Sequence, residues 1–191
     1  MVAILLLFWD KVMNRSLKET VAYYENLRDT VFEFVEKEYQ AYGIKLKEIS
    51  FRDAQEADSW KNEWKSEKRV ASWEWSKLYM DYHSSSGIKR FDLALYMNGK
   101  LQALCYGAPS KGKYILKLHA LERAPNDNPI RGKVLSMVLF TADAYARLIG
   151  AEELWLCNPV SPAHVKLYAK AGYEPHFNNL GTATHLSMRL K

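Results

Sequence analysis

Cysteine, glycine and proline are all scarce in this chain of 191 residues, and each scarcity excludes a class of protein. The two cysteines, Cys105 and Cys157, form no C-x-x-C pair and no Cys/His cluster with zinc spacing, so neither a disulfide framework nor a metal site is expected. Nine glycines and six prolines are too few for a collagen-like or low-complexity chain. We therefore expect a globular cytoplasmic protein whose two cysteines are small buried apolar side chains.

Long apolar runs are also missing. The most apolar segment, residues 1–9, is far shorter than the roughly 20 residues that span a bilayer. It has no basic region before it and no small-residue cleavage site after it, as a signal peptide would. We expect no membrane span, and we expect this segment to dock on the fold or on a partner.

Positive charge is in moderate excess. Lysine and arginine number 27 against 22 aspartates and glutamates, which gives a formal net charge of +5. Such an excess favours anionic partners, namely nucleotides, nucleic acid or a membrane surface. Spread over the whole surface, the same charge only keeps a protein soluble, and composition leaves both interpretations open.

The first third of the chain has a helical period. Ser16 and Glu19 form a capping-box pattern, and the apolar residues that follow predict a long amphipathic helix ending at Gly43. Residues 44–51 are expected to form a strand, and the segment 53–56 is a second capping-box-like start.

Two tryptophan-bearing helices are expected between residues 60 and 82. Basic and aromatic side chains alternate on the first of them, which would suit either stacking of nucleic-acid bases or ordinary amphipathic packing. The residues concerned are Trp60, Lys61, Trp64, Lys65, Lys68 and Arg69.

From residue 91 onward the apolar residues recur every second position. Asn98-Gly99 between two apolar runs predicts a hairpin over residues 91–97 and 100–106, and residues 114–121 predict a third antiparallel strand. The remaining pattern predicts, in order, a helix (132–149), a strand (154–157), a helix capped by Ser161 (162–171) and two strands (173–177 and 184–190). The predicted fold class is mixed α/β, with a mostly antiparallel central sheet flanked by helices and an N-terminal helical extension.

One segment near the C-terminus carries a family resemblance. The run Ser161-Pro-Ala-His-Val-Lys-Leu-Tyr-Ala-Lys-Ala-Gly-Tyr173 resembles the Asn-x-x-Ala-x-x-Leu-Tyr-x-x-x-Gly-Phe segment of the GNAT superfamily of acyl-CoA-dependent N-acyltransferases. Leu167, Tyr168, Gly172 and Tyr173 match in kind, whereas Ser161 and His164 replace the usual Asn and Ala. The resemblance implies a GNAT-like domain over residues 44–191, with residues 1–43 as an extension.

The resemblance implies acetyl-CoA as co-substrate and a phosphate-binding loop before the main helix. In that loop Arg131, Gly132, Lys133 and Val134 would hold the coenzyme A pyrophosphate, with Ser161 and His164 also near the coenzyme. The family pattern Arg/Gln-x-x-Gly-x-Gly/Ala is met only at Gly132. The sequence therefore leaves open a variant phosphate loop or a degenerate site that has lost coenzyme binding.

Catalytic roles also follow from the resemblance. Tyr168 matches the family tyrosine whose phenol protonates the leaving sulfur, although a core tyrosine would give the same pattern. Leu121 lies in the stretch whose backbone N–H would face the thioester carbonyl. Glu122 is the candidate base, or else a solvated glutamate paired with Arg123, and His119 could also face the cleft.

The implied function is transfer of an acetyl group from acetyl-CoA to a primary amine by direct attack in a ternary complex. In this fold the acceptor cleft is shaped by the segments that correspond to residues 60–82 and 178–182. The acceptor is left open among a small molecule, a protein and an aminoacyl-tRNA. The alternative is a coenzyme-free GNAT-like binding or assembly module that contacts nucleic acid. The long aromatic helix also allows a homodimer.

Overall fold

The computed structural model describes residues 16–63, 71–83, 87–125 and 129–190. Seven strands form one sheet in the order β1-β2-β3-β4-β5-β7-β6. The strands are β1 (Ile44–Lys47), β2 (Phe91–Met97), β3 (Lys100–Pro109), β4 (Ile115–Arg123), β5 (Glu153–Cys157), β6 (Glu174–Phe177) and β7 (Ala183–Arg189). The helices are α1 (Leu17–Glu38), α2 (Phe51–Ser59), α3 (Trp75–Tyr82), α4 (Val134–Leu148) and α5 (Pro162–Lys170).

The strand pairings confirm a mostly antiparallel sheet. Only β4 and β5 run parallel, and the crossover between them contains α4. The β2–β3 hairpin closes through Asn98 and Gly99, which both have positive φ, at 51° and 73°. These are the angles that a two-residue hairpin turn with the right twist requires, so the predicted hairpin is confirmed.

The sheet separates two apolar cores. On one face α1 and α4 pack over the strands, and Val35, Leu93 and Met137 are fully buried there. On the other face α2 and α3 pack over β2, β3 and β4, where Trp75 and Tyr106 are fully buried. The two helices cover only this half of the second face.

The boundary between β1 and α2 differs from the prediction. The strand ends at Lys47 and not at residue 51, because Ser50 is the N-cap of α2. Its side chain accepts from the backbone N–H of Asp53, whose carboxylate accepts from the N–H of Ser50. The capping box is therefore Ser50 with Asp53, and the predicted start at Asp53 with Glu56 was wrong.

The predicted tryptophan-bearing helices are only partly described. Trp60 lies in a short 3₁₀ turn, Trp60–Asn62, and is buried in the second core. Lys61 in the same turn is exposed. Trp64, Lys65, Lys68 and Arg69 lie outside the described residues, as do residues 1–9. Among the described helices, none is both long and apolar enough to cross a membrane.

A buried ion-pair network joins α1 to the sheet. The guanidinium of Arg28, only 1% exposed, bonds to the carboxylate of Glu48 and lies 3.6 Å from that of Asp92, which is fully buried. Arg90 bonds to the same two carboxylates, at 2.8 Å to Glu48 and 3.2 Å to Asp92. Two positive and two negative charges therefore balance inside the protein, which is the condition under which buried charges are tolerated.

Removing one member of this network is expected to be strongly destabilising. We expect Arg28→Met to lower the free energy of unfolding by about 3–5 kcal/mol, because the buried carboxylates lose a counter-charge. Urea denaturation measures this difference. The matched control is Arg147→Met, which removes an exposed ion pair with Asp143 on α4 and should cost about 0.5 kcal/mol or less. Equal losses in the two variants would contradict the structural role of the network.

Candidate active site

A gap opens in the sheet where β4 and β5 separate. Their parallel pairing runs from Ile115 opposite Glu153 to Leu118 opposite Leu156, and β4 then continues to Arg123 without β5 beside it. The separation coincides with an irregularity in the β3–β4 pairing, where Gly107 pairs with Leu118 and Tyr106 with Ala120. His119 is thus an extra residue in β4, and such bulges bend a strand and increase its twist.

The unpaired edge of β4 leaves backbone groups open to the gap. The N–H of Ala124 donates to the carbonyl of Gln102 on β3. Because successive backbone groups of a strand point to opposite edges, the N–H of Glu122 also faces β3. The N–H of Leu121 consequently faces the opposite edge, where β5 has diverged.

This gap is a cleft that is open to solvent. Its floor is formed by residues 118–121 of β4, and one side by the end of β5 and residues 158–160. His164 and Tyr168 of α5 line it as well, and Trp73 lines it from the segment that precedes α3. Of the residues predicted from the sequence, the structure thus places Leu121, His164 and Tyr168 in one cleft.

Tyr168 combines an enclosed ring with an available hydroxyl group. Burial raises the pKa of its phenol to about 12. Its hydroxyl makes no hydrogen bond to any residue that the structure describes, and its ring packs at the edge of the first core. The phenol therefore stays protonated at neutral pH, as a proton donor must.

Ser161 and His164 form the first turn of α5. The side chain of Ser161 caps the helix and also lies 2.8 Å from Nδ1 of His164. Burial lowers the pKa of His164, so its imidazole is favoured in the neutral form. Ser161 thus orients the His164 ring at the wall of the cleft.

Glu122 lies beneath the cleft and not at the surface. It is 7% exposed, and its carboxylate accepts a hydrogen bond of 2.7 Å from the indole Nε1 of Trp75. The guanidinium of Arg123 bonds to the carbonyls of Ala124 and Pro125. The alternative of a solvated Glu122 is therefore wrong.

The turn before α4 holds the residues predicted to bind phosphates. Arg131, Gly132 and Lys133 precede the first helical residue, Val134, whose side chain is buried. Among the described residues no side chain caps this helix, and the backbone N–H of Val134 donates to the carbonyl of Ile130. The positive end of the helix dipole lies at this turn, as it does at the start of an anion-binding helix. Lys133 is exposed, and its ammonium lies 4.9 Å from the ring centre of Tyr42.

Three acidic or imidazole side chains outside the cleft also come together. Glu48, His83 and Asp92 have potential ligand atoms within 4.8 Å of one another. Their carboxylates already pair with Arg28 and Arg90, so the charge that would attract a cation is neutralised. We assign this cluster to the ion-pair network described above.

Two of the cleft residues, Trp73 and Cys157, were not assigned to it individually from the sequence. Trp73 lies within residues 60–82, the segment expected to shape the acceptor cleft, and it lines the cleft together with β4. Cys157 was expected to be buried, as Cys105 is, but it is half-buried and lines the cleft. Its position at the last residue of β5, just before Asn158-Pro159, was the available signal.

The architecture is that of an N-acetyltransferase fold, that of the GNAT superfamily. The ribosomal-protein-S18-alanine N-acetyltransferase of Escherichia coli is 14% identical, with a TM-score of 0.53 over 78% of this chain and 94% of that chain. An N-acetyltransferase of Staphylococcus aureus Mu50 is 11% identical, with a TM-score of 0.57 over 78% and 99%. The PaiA N-acetyltransferase of Thermoplasma acidophilum, in complex with coenzyme A, is 15% identical, with a TM-score of 0.53 over 76% and 98%.

These likenesses confirm the predicted fold of this chain. No protein-family model matches the sequence, and no curated protein is significantly similar to it. The chain therefore has the GNAT-superfamily fold with a sequence far from those of the structures it resembles.

The environment of His119 predicts its protonation. The His119 ring lines the cleft. Partial desolvation of the imidazole there, together with the positive charge of Lys117, lowers its pKa from the ordinary 6.5. A histidine-selective NMR titration should place the pKa of His119 below 6.5, and Lys117→Met should raise it because a like charge is removed. Lys113→Met, an equal change of net charge on the β3–β4 turn, should leave the pKa unchanged. A wild-type value at or above 6.5 would contradict the described environment.

Proposed function

We propose that this protein is an N-acetyltransferase that transfers an acetyl group from acetyl-CoA to a primary amine in a ternary complex. The observation that carries the proposal is the cleft at the unpaired edge of β4, where the N–H of Leu121 is open and the phenol of Tyr168 stands in the opposite wall. Relatives in fold that were solved with acetyl-CoA or coenzyme A support the choice of co-substrate.

The residues present fit the coenzyme at two places. At the start of α4 the positive end of the helix dipole suits a pyrophosphate, and Arg131 and Lys133 add positive charge. A Cβ built at Gly132 meets nothing within 4 Å, so the backbone there is open to a ligand. The mostly uncharged cleft between β4 and β5 suits an uncharged pantetheine arm.

Each cleft residue then has a distinct role. When bound, the coenzyme supplies an activated acyl group as a thioester. The N–H of Leu121 would polarise the carbonyl of that thioester, because a fixed backbone donor stabilises charge that develops on oxygen. The amine nitrogen bonds to the acyl carbon as the carbon–sulfur bond breaks, and Tyr168 would give its proton to the departing sulfur.

Glu122 and His119 are the two candidates to take the proton that the amine loses. Glu122 keeps acceptor capacity on its carboxylate although one oxygen bonds Trp75. His119 lies in the cleft itself and is favoured in the neutral form, which can accept a proton. We propose Glu122 as the base, acting through a water molecule that also contacts His119.

Coenzyme binding is tested at Gly132. We expect Gly132→Asp to weaken acetyl-CoA binding roughly tenfold or more, because a carboxylate at the helix start repels the phosphates and a tenfold loss needs only 1.4 kcal/mol. Gly132→Ala is the matched control and should bind normally, since its Cβ meets no atom. Thermal shift and calorimetry measure both variants.

An acidic residue near a helix start stabilises the helix, so Gly132→Asp should be no less stable than the wild type without ligand. Loss of acetyl-CoA binding can therefore be separated from loss of folding. If the wild type itself does not bind acetyl-CoA at millimolar concentration, the proposal fails. Salt-dependent RNA or DNA binding in that case would favour the coenzyme-free binding module.

The acid is tested at Tyr168. We expect Tyr168→Phe to lower kcat about 100-fold or more while acetyl-CoA affinity changes less than about twofold, because only proton transfer is lost. Steady-state thiol release and calorimetry separate the two quantities. The hydroxyl has no hydrogen-bond partner among the described residues, so folding should be unaffected. A variant that turns over as fast as the wild type would remove Tyr168 from the mechanism.

A further inference from the structure

Aromatic side chains of α3 and of the segment before it lie at the cleft or next to one of its lining residues. Leu118 is buried in the first core, whereas Ala120 is buried in the second, so the bulge at His119 turns β4 toward α3. The His119 ring accordingly lies 6.2 Å from the ring of Tyr82 on α3. Trp73 lines the same cleft from the segment before α3. We name these three side chains, Trp73, Tyr82 and His119, the aromatic mouth.

A second layer of rings supports the aromatic mouth from behind. Trp73 meets Trp75 edge to face at 6.2 Å, and Tyr82 stacks on Tyr106 at 4.8 Å. Trp75 and Tyr106 lie 5.8 Å apart and are both fully buried. The five rings therefore form one continuous contact from Trp73 to His119.

Two carboxylates hold this second layer in place. Glu122 accepts the indole N–H of Trp75, and Asp58 of α2 accepts the backbone N–H of Trp75 at 2.6 Å and that of Ser76 at 3.1 Å. Asp58 thereby supplies the N-terminal cap that α3 lacks in its own sequence. The second layer of rings is thus held by hydrogen bonds from Trp75 to Glu122 and to Asp58.

The aromatic mouth suits one kind of amine better than others. The described residues that line the cleft include no aspartate, glutamate, lysine or arginine. A polyamine would need a carboxylate for each of its ammonium groups, whereas Glu122 is the single carboxylate that we place beside the cleft among the described residues. A nucleic acid would need several cations. Ring faces attract a single ammonium group and pack well against another ring.

The geometry points to an arylalkylamine, a primary monoamine carried on an aromatic ring, as the acceptor, with Trp73 as the residue that determines this specificity. The inference rests on the proposed acetyl transfer. The acceptor ring would pack against Trp73 and Tyr82, with its amino group directed toward the gap between β4 and β5.

The test compares 2-phenylethylamine, spermidine and glycinamide as acceptors in a thiol-release assay with acetyl-CoA. We expect kcat/KM for 2-phenylethylamine to exceed the other two by at least about tenfold, because ring stacking and ring burial are available to it alone. Trp73→Ala should remove most of this preference, and Trp73→Phe should keep most of it. The matched control is Trp155→Ala on β5, which stacks on His185 and should leave the preference intact.

Binding of 2-phenylethylamine without coenzyme, followed by ligand-observed NMR, separates this inference from the proposed function. Suppose that the wild type binds 2-phenylethylamine, that Trp73→Ala does not, and that no amine is turned over. This result supports the aromatic ligand and overturns the transfer reaction. Faster turnover of spermidine or glycinamide supports the transfer reaction and overturns the arylalkylamine. If Trp73→Ala keeps the same preference among the three amines, Trp73 does not determine that preference. If the wild type shows neither binding nor turnover, both proposals are overturned.

Discussion

The separation of β4 from β5 after Leu118 is the constraint on which the candidate site depends. A strand edge inside a protein normally has its backbone groups paired, because unpaired groups there cost free energy. Here β5 no longer pairs with β4 beyond Leu118, and we propose that a ligand occupies this edge. The extra residue at His119 and the crossover through α4 maintain the gap, and both the Leu121 N–H and the Tyr168 phenol border it.

The N-terminal helix contributes to this arrangement through charge. Arg28 of α1 meets Asp92 at the start of β2, and Asp92 in turn lies 3.4 Å from the His83 imidazole at the end of α3. The same network includes Glu48 between β1 and α2. Helices on opposite faces of the sheet are therefore joined by one set of buried charges. The division into an N-terminal extension (1–43) and a GNAT-like domain (44–191) remains a proposal based on the family resemblance, because α1 packs against the rest of the fold.

Local patterns predicted most of the fold. Asn98-Gly99 identified the hairpin, the cap at Ser161 identified α5, and apolar periodicity identified α4, because each of these signals lies within a few residues of its effect. The start of α2 was misplaced since Ser50 and Asp53 are both favourable capping residues, and only the hydrogen bonds distinguish them.

The site was less accessible to sequence reasoning. Tyr168, His164 and Leu121 were placed in one cleft through a family resemblance, and not through any local pattern. The carboxylate of Glu122 is paired with Trp75, which lies 47 residues away in the chain. The spacing of apolar residues along a sequence does not predict a contact between such distant residues. The one local signal of the bulge at His119 is Gly107 on the neighbouring strand, where a Cβ would meet the Lys117 carbonyl at 2.6 Å. A glycine in β3 does not indicate which residue of β4 is the extra one, so the turn of β4 toward α3 was not predicted.

Asp58 and His83 have a joint consequence for motion. The first fixes the start of α3 by accepting two of its backbone N–H groups, and the second fixes its end against Asp92. Both ends of this short helix thus contact other elements, so the proposed acceptor would meet a wall that is already formed. Binding of the acceptor would then order few protein side chains, so most of the conformational entropy lost on binding would be that of the ligand.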